Sequence, residues 1–261
     1  MRYRATLAYD GTAYMGFQKQ ANAQTVQGVV EEALRRFSGA PVRVIAAGRT
    51  DTGVHASGQT IAFDLVWQHG VKSLEAALNH YLPADVAVRE VSEAQPGFHP
   101  RFDARSRTYV YRLYVSPVRD PLRRNSAWHL TEPFDVAGAG AAASHLTGTH
   151  DFAAFGTPPV GENTVRTVWV SRWDSGPVDD EYRFTITANA FLFRMVRRIV
   201  SALVAVGQGR VTKTRFVDIL SSRRIDPALR LAPACGLTLT AVEYEDVELP
   251  AAEADNKESF T

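Results

Sequence analysis

The segment from residue 48 to residue 55 carries the side chains of this sequence that are best placed for chemistry. It reads Gly-Arg-Thr-Asp-Thr-Gly-Val-His. Gly48 and Gly53 permit backbone angles and a close ligand approach that a Cβ atom would forbid, so Arg49 and Asp51 can project from a tight loop. A lone carboxylate can attack or stabilise an electrophilic sugar carbon or an activated pyrimidine, but it cannot alone supply the acid and base of a standard glycoside hydrolase. Asp and Thr are also typical of an ordinary turn, and the segment alone does not separate the two interpretations.

A second candidate, Arg197, lies on a helix predicted for residues 191–206. The predicted core stripe of this helix comprises Leu192, Met195, Val196, Ile199 and Leu203, with Arg194 opposite in solvent and Arg197 in a row with Phe193, Val200 and Val204. Because a guanidinium group does not lose its proton, a buried Arg197 must meet a carboxylate or a phosphate. We therefore predict an ion pair between Arg197 and Asp51; the alternative is that the arginine extends to a nearby surface.

Aromatic and basic residues indicate contact with nucleic acid. Tyr109 stands near the start of a predicted strand, close to Arg107, so its ring could stack on a base while its hydroxyl stays near water; core packing is the alternative. Arginines concentrate in residues 101–124 and 194–224, and their planar fork suits phosphate. Arg107 and Arg194 belong to these clusters and are candidate substrate contacts.

The charge distribution and the composition narrow the class of protein. Residues 245–261 hold six acids against one lysine, a net charge of −5, so the net charge of +1 leaves +6 on the rest of the chain. The single cysteine, Cys235, forms no internal disulfide, and no histidine spacing is typical of a metal site. No glycine-rich phosphate motif opens a helix, and no apolar run approaches the ~18 residues of a membrane span. We expect a cytoplasmic protein without metal or cofactor.

The order of predicted elements indicates an α+β fold. In the first part strands and helices follow one another as β-α-β-β-α-β, the ferredoxin-like or RRM-like unit, and the second part repeats that order with additions. We predict two such units whose antiparallel or mixed sheets join around a central cleft, with helices on one face. The predicted domains are residues 1–97, carrying the aspartate loop, and residues 98–245, followed by a disordered acidic tail at 246–261.

The pattern of motifs resembles that of the A-type tRNA pseudouridine synthases. The resemblance rests on Tyr9-Asp10-Gly11-Thr12, Gly16-Phe17-Gln18, Thr25-Val26-Gln27-Gly28, residues 48–56, Phe98-His99, Arg101-Phe102, Arg107 with Tyr109 and Tyr111, His150-Asp151-Phe152, Asn189-Ala190-Phe191 and Met195-Val196-Arg197. These motifs extend along most of the chain up to about residue 246. The aspartate loop and the Met-Val-Arg helix are specific in combination.

This resemblance implies a homodimeric isomerase that acts on tRNA without cofactor or metal. Uracil would leave C1′ of its ribose, turn, and rejoin through C5, at uridines 38, 39 and 40 of the anticodon stem-loop. Asp51 would be the catalytic aspartate and Arg197 its partner; Tyr109 would stack on uracil and assist the final removal of the C5 proton. Arg49 would enter the space left by the flipped nucleotide.

Three points stay open at the level of sequence. Asp51 could bond covalently to the sugar or the pyrimidine, or abstract a ribose proton to give a glycal. Leu237 is the candidate lining residue of the uracil pocket, but Leu239 shares its strand face. The alternative functions are a non-catalytic RNA-binding protein on the same fold and an enzyme that releases free uracil.

Overall fold

The computed structural model describes residues 1–227 and 230–244, and the predicted acidic tail lies outside them. The α+β class is confirmed: these residues contain ten strands and five α-helices. In chain order they are β1 (Arg2–Tyr9), α1 (Val26–Ser38), β2 (Ile45–Ala46), β3 (His55–Asp64), α2 (Val71–Tyr81), β4 (Val86–Glu93), β5 (Ser106–Val115), β6 (Trp128–Leu130), α3 (Val136–Ala143), β7 (Gly148–Asp151), β8 (Val165–Ser175), β9 (Glu181–Ala188), α4 (Met195–Gly207), α5 (Lys213–Ser222) and β10 (Leu237–Glu243). None of the described helices is long and apolar enough to cross a bilayer.

The described residues form two compact units that are not continuous in sequence. Unit 1 contains Met1–Val110, Pro121–Ala127 and residues 233–244, and unit 2 contains Tyr111–Asp120 and the described part of Trp128–Ala232. The division falls within β5. Compactness does not measure whether a segment folds independently, so the domain boundary near residue 97 stays a prediction.

Unit 1 contains the predicted β-α-β-β-α-β order, formed by β1, α1, β2, β3, α2 and β4. Strand β1 lies between β4 and β3 and is antiparallel to both, while β2 pairs antiparallel with β3. This is the strand order of a ferredoxin-like unit. Helix α1 begins where the Thr25 side chain accepts from Gly28 N–H and ends at Gly39 in the left-handed conformation, as its sequence predicts. Strand β10 adds to β3 in parallel, with Thr238 opposite His55.

Unit 2 has the strand order β5-β9-β8-β7, with β8 antiparallel to both β9 and β7. Helix α3 packs against α4, α5 and β8. Asp135 begins α3 because its side chain accepts from Gly138 N–H. Along the chain, β5, α3, β8, β9, α4 and β10 repeat the order of the first set, as predicted, while β6, β7 and α5 are additions.

Several predicted elements differ from the structure. The sequence His150-Asp151-Phe152 is typical of a structural turn, but His150 and Asp151 pair with Arg166 and Val165 in β7 and β8. The apolar run at residues 42–47 predicts a strand, but β2 contains only Ile45–Ala46. The backbone of Val44 bonds to side chains of α1 instead of to a neighbouring strand.

Two further predictions need correction in detail. The alternation of apolar residues at 58–65 predicts a half-buried strand, yet residues 59–63 of β3 are buried on both faces. The helix predicted from residue 191 begins at Met195. Before it, Phe193 N–H donates to the Thr157 carbonyl and Arg194 is left-handed, with φ 63°, which no α-helix accommodates.

Candidate active site

The segment at residues 48–54 is an irregular connection between β2 and β3, held by bonds to distant parts of unit 1. Thr50 is buried; its carbonyl accepts from Phe17 N–H at 3.1 Å and its hydroxyl lies 2.8 Å from the Tyr9 hydroxyl. Gly16 has φ +89°, and a Cβ there would lie 2.9 Å from the Thr50 carbonyl oxygen, so only glycine fits. These contacts fix the residue directly before Asp51.

The start of the loop is fixed by a buried amide. The Gln59 side chain, fully buried in β3, donates to the Gly48 carbonyl at 2.8 Å and accepts from Gly48 N–H at 3.2 Å. Val54 N–H donates to the Asp51 carbonyl at 3.1 Å, which closes the turn after the aspartate. Sequence reasoning missed Gln59, and its signal was a polar residue inside an apolar strand.

Tyr109 lies against this loop. A Cβ at Gly48 would be 4.0 Å from the Tyr109 hydroxyl oxygen. Burial raises the pKa of the Tyr109 phenol well above its usual value, and the nearby Tyr9 and Asp51 raise it further, while Arg107 opposes the shift. Within unit 1 the structure therefore brings together Tyr109 and the loop that carries Asp51. The Asp51 side chain is half-buried and that of Arg49 is exposed.

Arg107 is a buried arginine bound to backbone carbonyls. It is 9% exposed, and its guanidinium donates to the carbonyls of Ala47 at 3.2 Å, Arg101 at 2.6 Å and Ala104 at 3.1 Å. Burial lowers its pKa from the ordinary arginine value. Ala47 immediately precedes Gly48, so Arg107 fastens the base of the loop to the chain at residues 101–104.

The far end of the loop meets the start of β10. A Cβ at Gly53 would lie 3.2 Å from the Ala234 Cβ. His55 Nε2 is 3.1 Å from the Cys235 carbonyl, and its Nδ1 accepts from Gly11 N–H at 3.0 Å. Its Nδ1 also lies 3.1 Å from a carboxylate oxygen of Asp10, so both ring nitrogens have polar partners. A histidine that stands singly in the sequence is more typical of a hydrogen-bonding or packing residue than of a metal ligand, and the structure confirms a hydrogen-bonding role for His55.

Leu237 and Leu239 both stand on β10 in unit 1. Leu237, 5% exposed, directly follows the turn at Ala234–Gly236, and Leu239 is fully buried two residues further on. The register places Leu239 opposite Ala56. Leu237 is thus the nearer of the two, along the strand, to the end that meets Gly53.

Unit 2 carries Arg194 and Arg197. Arg194 is exposed as predicted and lies over the ring of Phe193 at 4.7 Å. Arg197, in the first turn of α4, is half-buried and donates through Nε to the Ala232 carbonyl at 2.8 Å. Val200 and Val204 of its row are buried, but Phe193 precedes the helix and is 49% exposed, so that part of the row prediction is wrong. The ion pair between Arg197 and Asp51 stays a prediction.

Comparison with known proteins gives a consistent result. The family model described as tRNA pseudouridine synthase matches residues 5–103 and 142–245. A protein of Chloroflexus aurantiacus named tRNA pseudouridine synthase A is 43% identical over 246 residues, covering 91% of this chain and 87% of its own length. Proteins with the same name from Brevibacillus brevis and Moorella thermoacetica are 41% and 42% identical and cover 93% and 92% of this chain and 99% and 98% of their own lengths.

Proposed function

The chain belongs to the tRNA pseudouridine synthase family and is an isomerase that makes pseudouridine in tRNA; from this premise we propose that Asp51 is its catalytic aspartate. We further propose that it modifies uridines 38, 39 and 40 of the anticodon stem-loop. Family membership favours a catalytic role over the alternative of a non-catalytic RNA-binding protein. The reaction breaks the bond from C1′ to N1 and forms the bond from C1′ to C5; C5 loses its hydrogen and N1 gains one, so the composition of the RNA is unchanged.

The observation that best supports the proposal is the position of Tyr109 at the Asp51 loop. A flipped uracil that reaches Asp51 would meet an aromatic residue whose hydroxyl lies against Gly48. The raised pKa of the phenol keeps its proton in place at neutral pH, which favours ring stacking as its main part in the reaction. Removal of the C5 proton by Tyr109 would require the phenol to pass on its own proton in the same step.

The remaining predicted residues take distinct parts in this proposal. Arg197 pairs with Asp51, Arg49 enters the space vacated by the target nucleotide, Leu237 lines the uracil pocket, and Arg194 contacts the RNA backbone. The exposure of Arg49 and Arg194 supports direct contact with RNA. Arg107, predicted as a substrate contact, is buried among carbonyls, which favours an indirect contribution through the loop base. We also propose that the protein is a cytoplasmic homodimer. Sedimentation of the purified chain tests whether it is a dimer.

Replacing Asp51 tests the catalytic assignment. We expect Asp51→Asn to abolish pseudouridine formation while tRNA affinity stays within about threefold, since a carboxylate adds nothing to phosphate binding. The measurement is pseudouridine mapping in tRNA transcripts together with a binding titration. Asp64→Asn is the matched control, because Asp64 is exposed and pairs only at the surface with Arg2.

Each part of the proposal has its own contrary result. Normal turnover by Asp51→Asn would remove the aspartate from the mechanism. Pseudouridine appearing outside positions 38–40 would overturn the choice of substrate uridines but not the chemistry. Free uracil in the reaction would show base release instead of isomerisation.

A further inference from the structure

An exposed aromatic side chain without a part in the chemistry described so far stands in a turn that Arg107 links to the base of the Asp51 loop. Phe102 is 75% exposed, although burial of a phenylalanine ring is strongly favourable. The guanidinium of Arg101 lies 5.7 Å from its ring centroid, and the His99 ring lies 4.2 Å away at 30°. An aromatic ring flanked by an arginine and an imidazole, open to solvent, is the arrangement on which nucleobases stack.

The turn that presents Phe102 is rigidly built. His99 N–H donates to the Asp103 carboxylate at 2.8 Å, and the His99 carbonyl accepts from Phe102 and Asp103 N–H at 3.1 and 3.0 Å. His99 Nδ1 accepts from the N–H groups of Arg101 and Phe102 at 3.2 and 3.3 Å. Because the backbone is already ordered, binding at Phe102 requires little further loss of conformational entropy.

Arg107 places this turn next to the Asp51 loop. Its Nη2 donates both to the Arg101 carbonyl and to the Ala47 carbonyl, so the two carbonyls face one nitrogen. Ala47 leads into Gly48 and the loop, while Arg101 adjoins Phe102. All of these residues belong to unit 1.

The local charge suits RNA. Arg101 and Arg105 flank the turn, and Arg105 is exposed. The one acid within the turn, Asp103, has an oxygen that accepts from His99 N–H. Phosphates near Phe102 would therefore meet arginine side chains.

We propose that Phe102, flanked by Arg101, stacks on an unpaired base of the tRNA next to the flipped uridine. The inference rests on the proposed function, because it takes the Asp51 loop as the place where the target nucleotide is bound. It adds a contact that determines specificity. The ring would increase the affinity for RNA that has an unpaired base beside the target and would not change the affinity for a continuous duplex.

The test compares two RNAs on the same protein samples. Affinities are measured by fluorescence anisotropy for an anticodon stem-loop and for a fully paired duplex of equal length. We expect Phe102→Leu, which keeps an apolar side chain but removes the ring, to weaken stem-loop binding roughly tenfold or more and to leave duplex binding unchanged. Phe102→Tyr, which keeps the ring, should bind the stem-loop as the parent does. Because the readout is a ratio on one sample, a partly unfolded variant still gives a valid result.

Two further variants separate stacking from charge and from general effects. Arg101→Gln should reduce the slope of log affinity against log salt by about one phosphate contact, whereas Phe102→Leu should leave that slope unchanged. Tyr81→Leu is the matched control, since Tyr81 is an exposed aromatic residue of α2, 38% exposed, and should leave both RNAs unaffected.

The contrary outcomes are distinct from those of the catalytic proposal. Equal losses on both RNAs, no loss on the stem-loop, or the same loss in Tyr81→Leu would overturn stacking by Phe102. Binding needs no turnover, so these results stand whether or not Asp51→Asn abolishes catalysis. Conversely, if Asp51→Asn keeps normal turnover, the catalytic assignment fails, but the ratio of stem-loop to duplex affinity still tests stacking by Phe102.

Discussion

The Asp51 loop and the segment at residues 191–198 both carry predicted catalytic side chains, yet they are held in different ways. The loop receives bonds from Tyr9, Phe17 and Gln59, and all three of these residues are buried. The second segment has exposed side chains at Phe193 and Arg194 before α4 begins. The comparison indicates that the position of Asp51 depends on the fold of unit 1 as a whole, whereas Arg194 can change with little effect on stability.

The largest effect is expected at Gln59. Gln59→Leu leaves the N–H and carbonyl of Gly48 without their buried partner, which should lower the free energy of unfolding by ~3 kcal/mol and displace the loop. Denaturant unfolding and a turnover assay check this. Gln68→Leu, the same change at an exposed position, should be nearly neutral. Equal stability of the two variants would show that the amide does not hold the loop.

A smaller effect is expected where Gly16 approaches the loop. Gly16→Ala and Gly97→Ala both place a side chain at positive φ, +89° and +87°, which costs about 1 kcal/mol in each. Only at Gly16 does the new Cβ meet the Thr50 carbonyl oxygen, and nothing lies within 4 Å at Gly97. Gly16→Ala should therefore be the less stable by ~1–2 kcal/mol and should lose activity. Matching melting curves for the two would contradict the close contact.

The Tyr9 hydroxyl predicts a dependence of stability on alkaline pH. Burial raises the pKa of Tyr9 from 10.0 to about 12, with hydrogen bonds to Thr50 and Gln59 opposing the shift. Below pH 10 the phenol keeps its proton in both states, so this contribution is fully present. As the pH rises from 10 towards 12 the unfolded chain loses the proton first, and the contribution falls by ~1.4 kcal/mol per pH unit.

Tyr9→Phe isolates this contribution. It should lower stability by ~1 kcal/mol at pH 8 through loss of the bond to Thr50, yet make the fall between pH 10 and 12 shallower. Chemical unfolding as a function of pH measures both. Parallel curves for parent and variant would place the alkaline sensitivity at other tyrosines, such as the half-buried Tyr244, whose pKa burial also raises to about 12.

The smallest change in stability is expected in the second segment. Arg197→Lys removes the Nε–H that donates to the Ala232 carbonyl, which should cost no more than ~1 kcal/mol in a half-buried position. Activity should nevertheless fall by at least a hundredfold, because lysine does not reproduce the fork that is predicted to hold Asp51. Arg172→Lys, at an exposed position of β8 with no part in the proposed site, serves as the control. Near-normal turnover by Arg197→Lys would contradict the predicted ion pair.

Long periodic segments were predictable because their apolar spacing matches a single secondary structure. Alternating apolar residues predict a strand at residues 106–115, which is β5. Helical spacing predicts a helix from Thr25 that ends before Ser38-Gly39, which corresponds to α1. The short strands β6 and β7 were not predicted, because three or four residues are too few to show an alternation of apolar and polar side chains. The start of α4 was misplaced because apolar residues continue in helical spacing through residues 191–194, where a bond from Thr157 imposes another conformation.

The sequence by itself determined the family, the β-α-β-β-α-β order and the candidate residues Asp51, Tyr109 and Arg197, because motif spacing and periodicity are local properties of a chain. Only the tertiary structure decided that Gln59 and Arg107 hold the two sides of the loop base and that Phe102 is left exposed beside it. Those facts depend on which backbone carbonyls and amides are buried together, and burial is settled by packing between residues far apart in sequence.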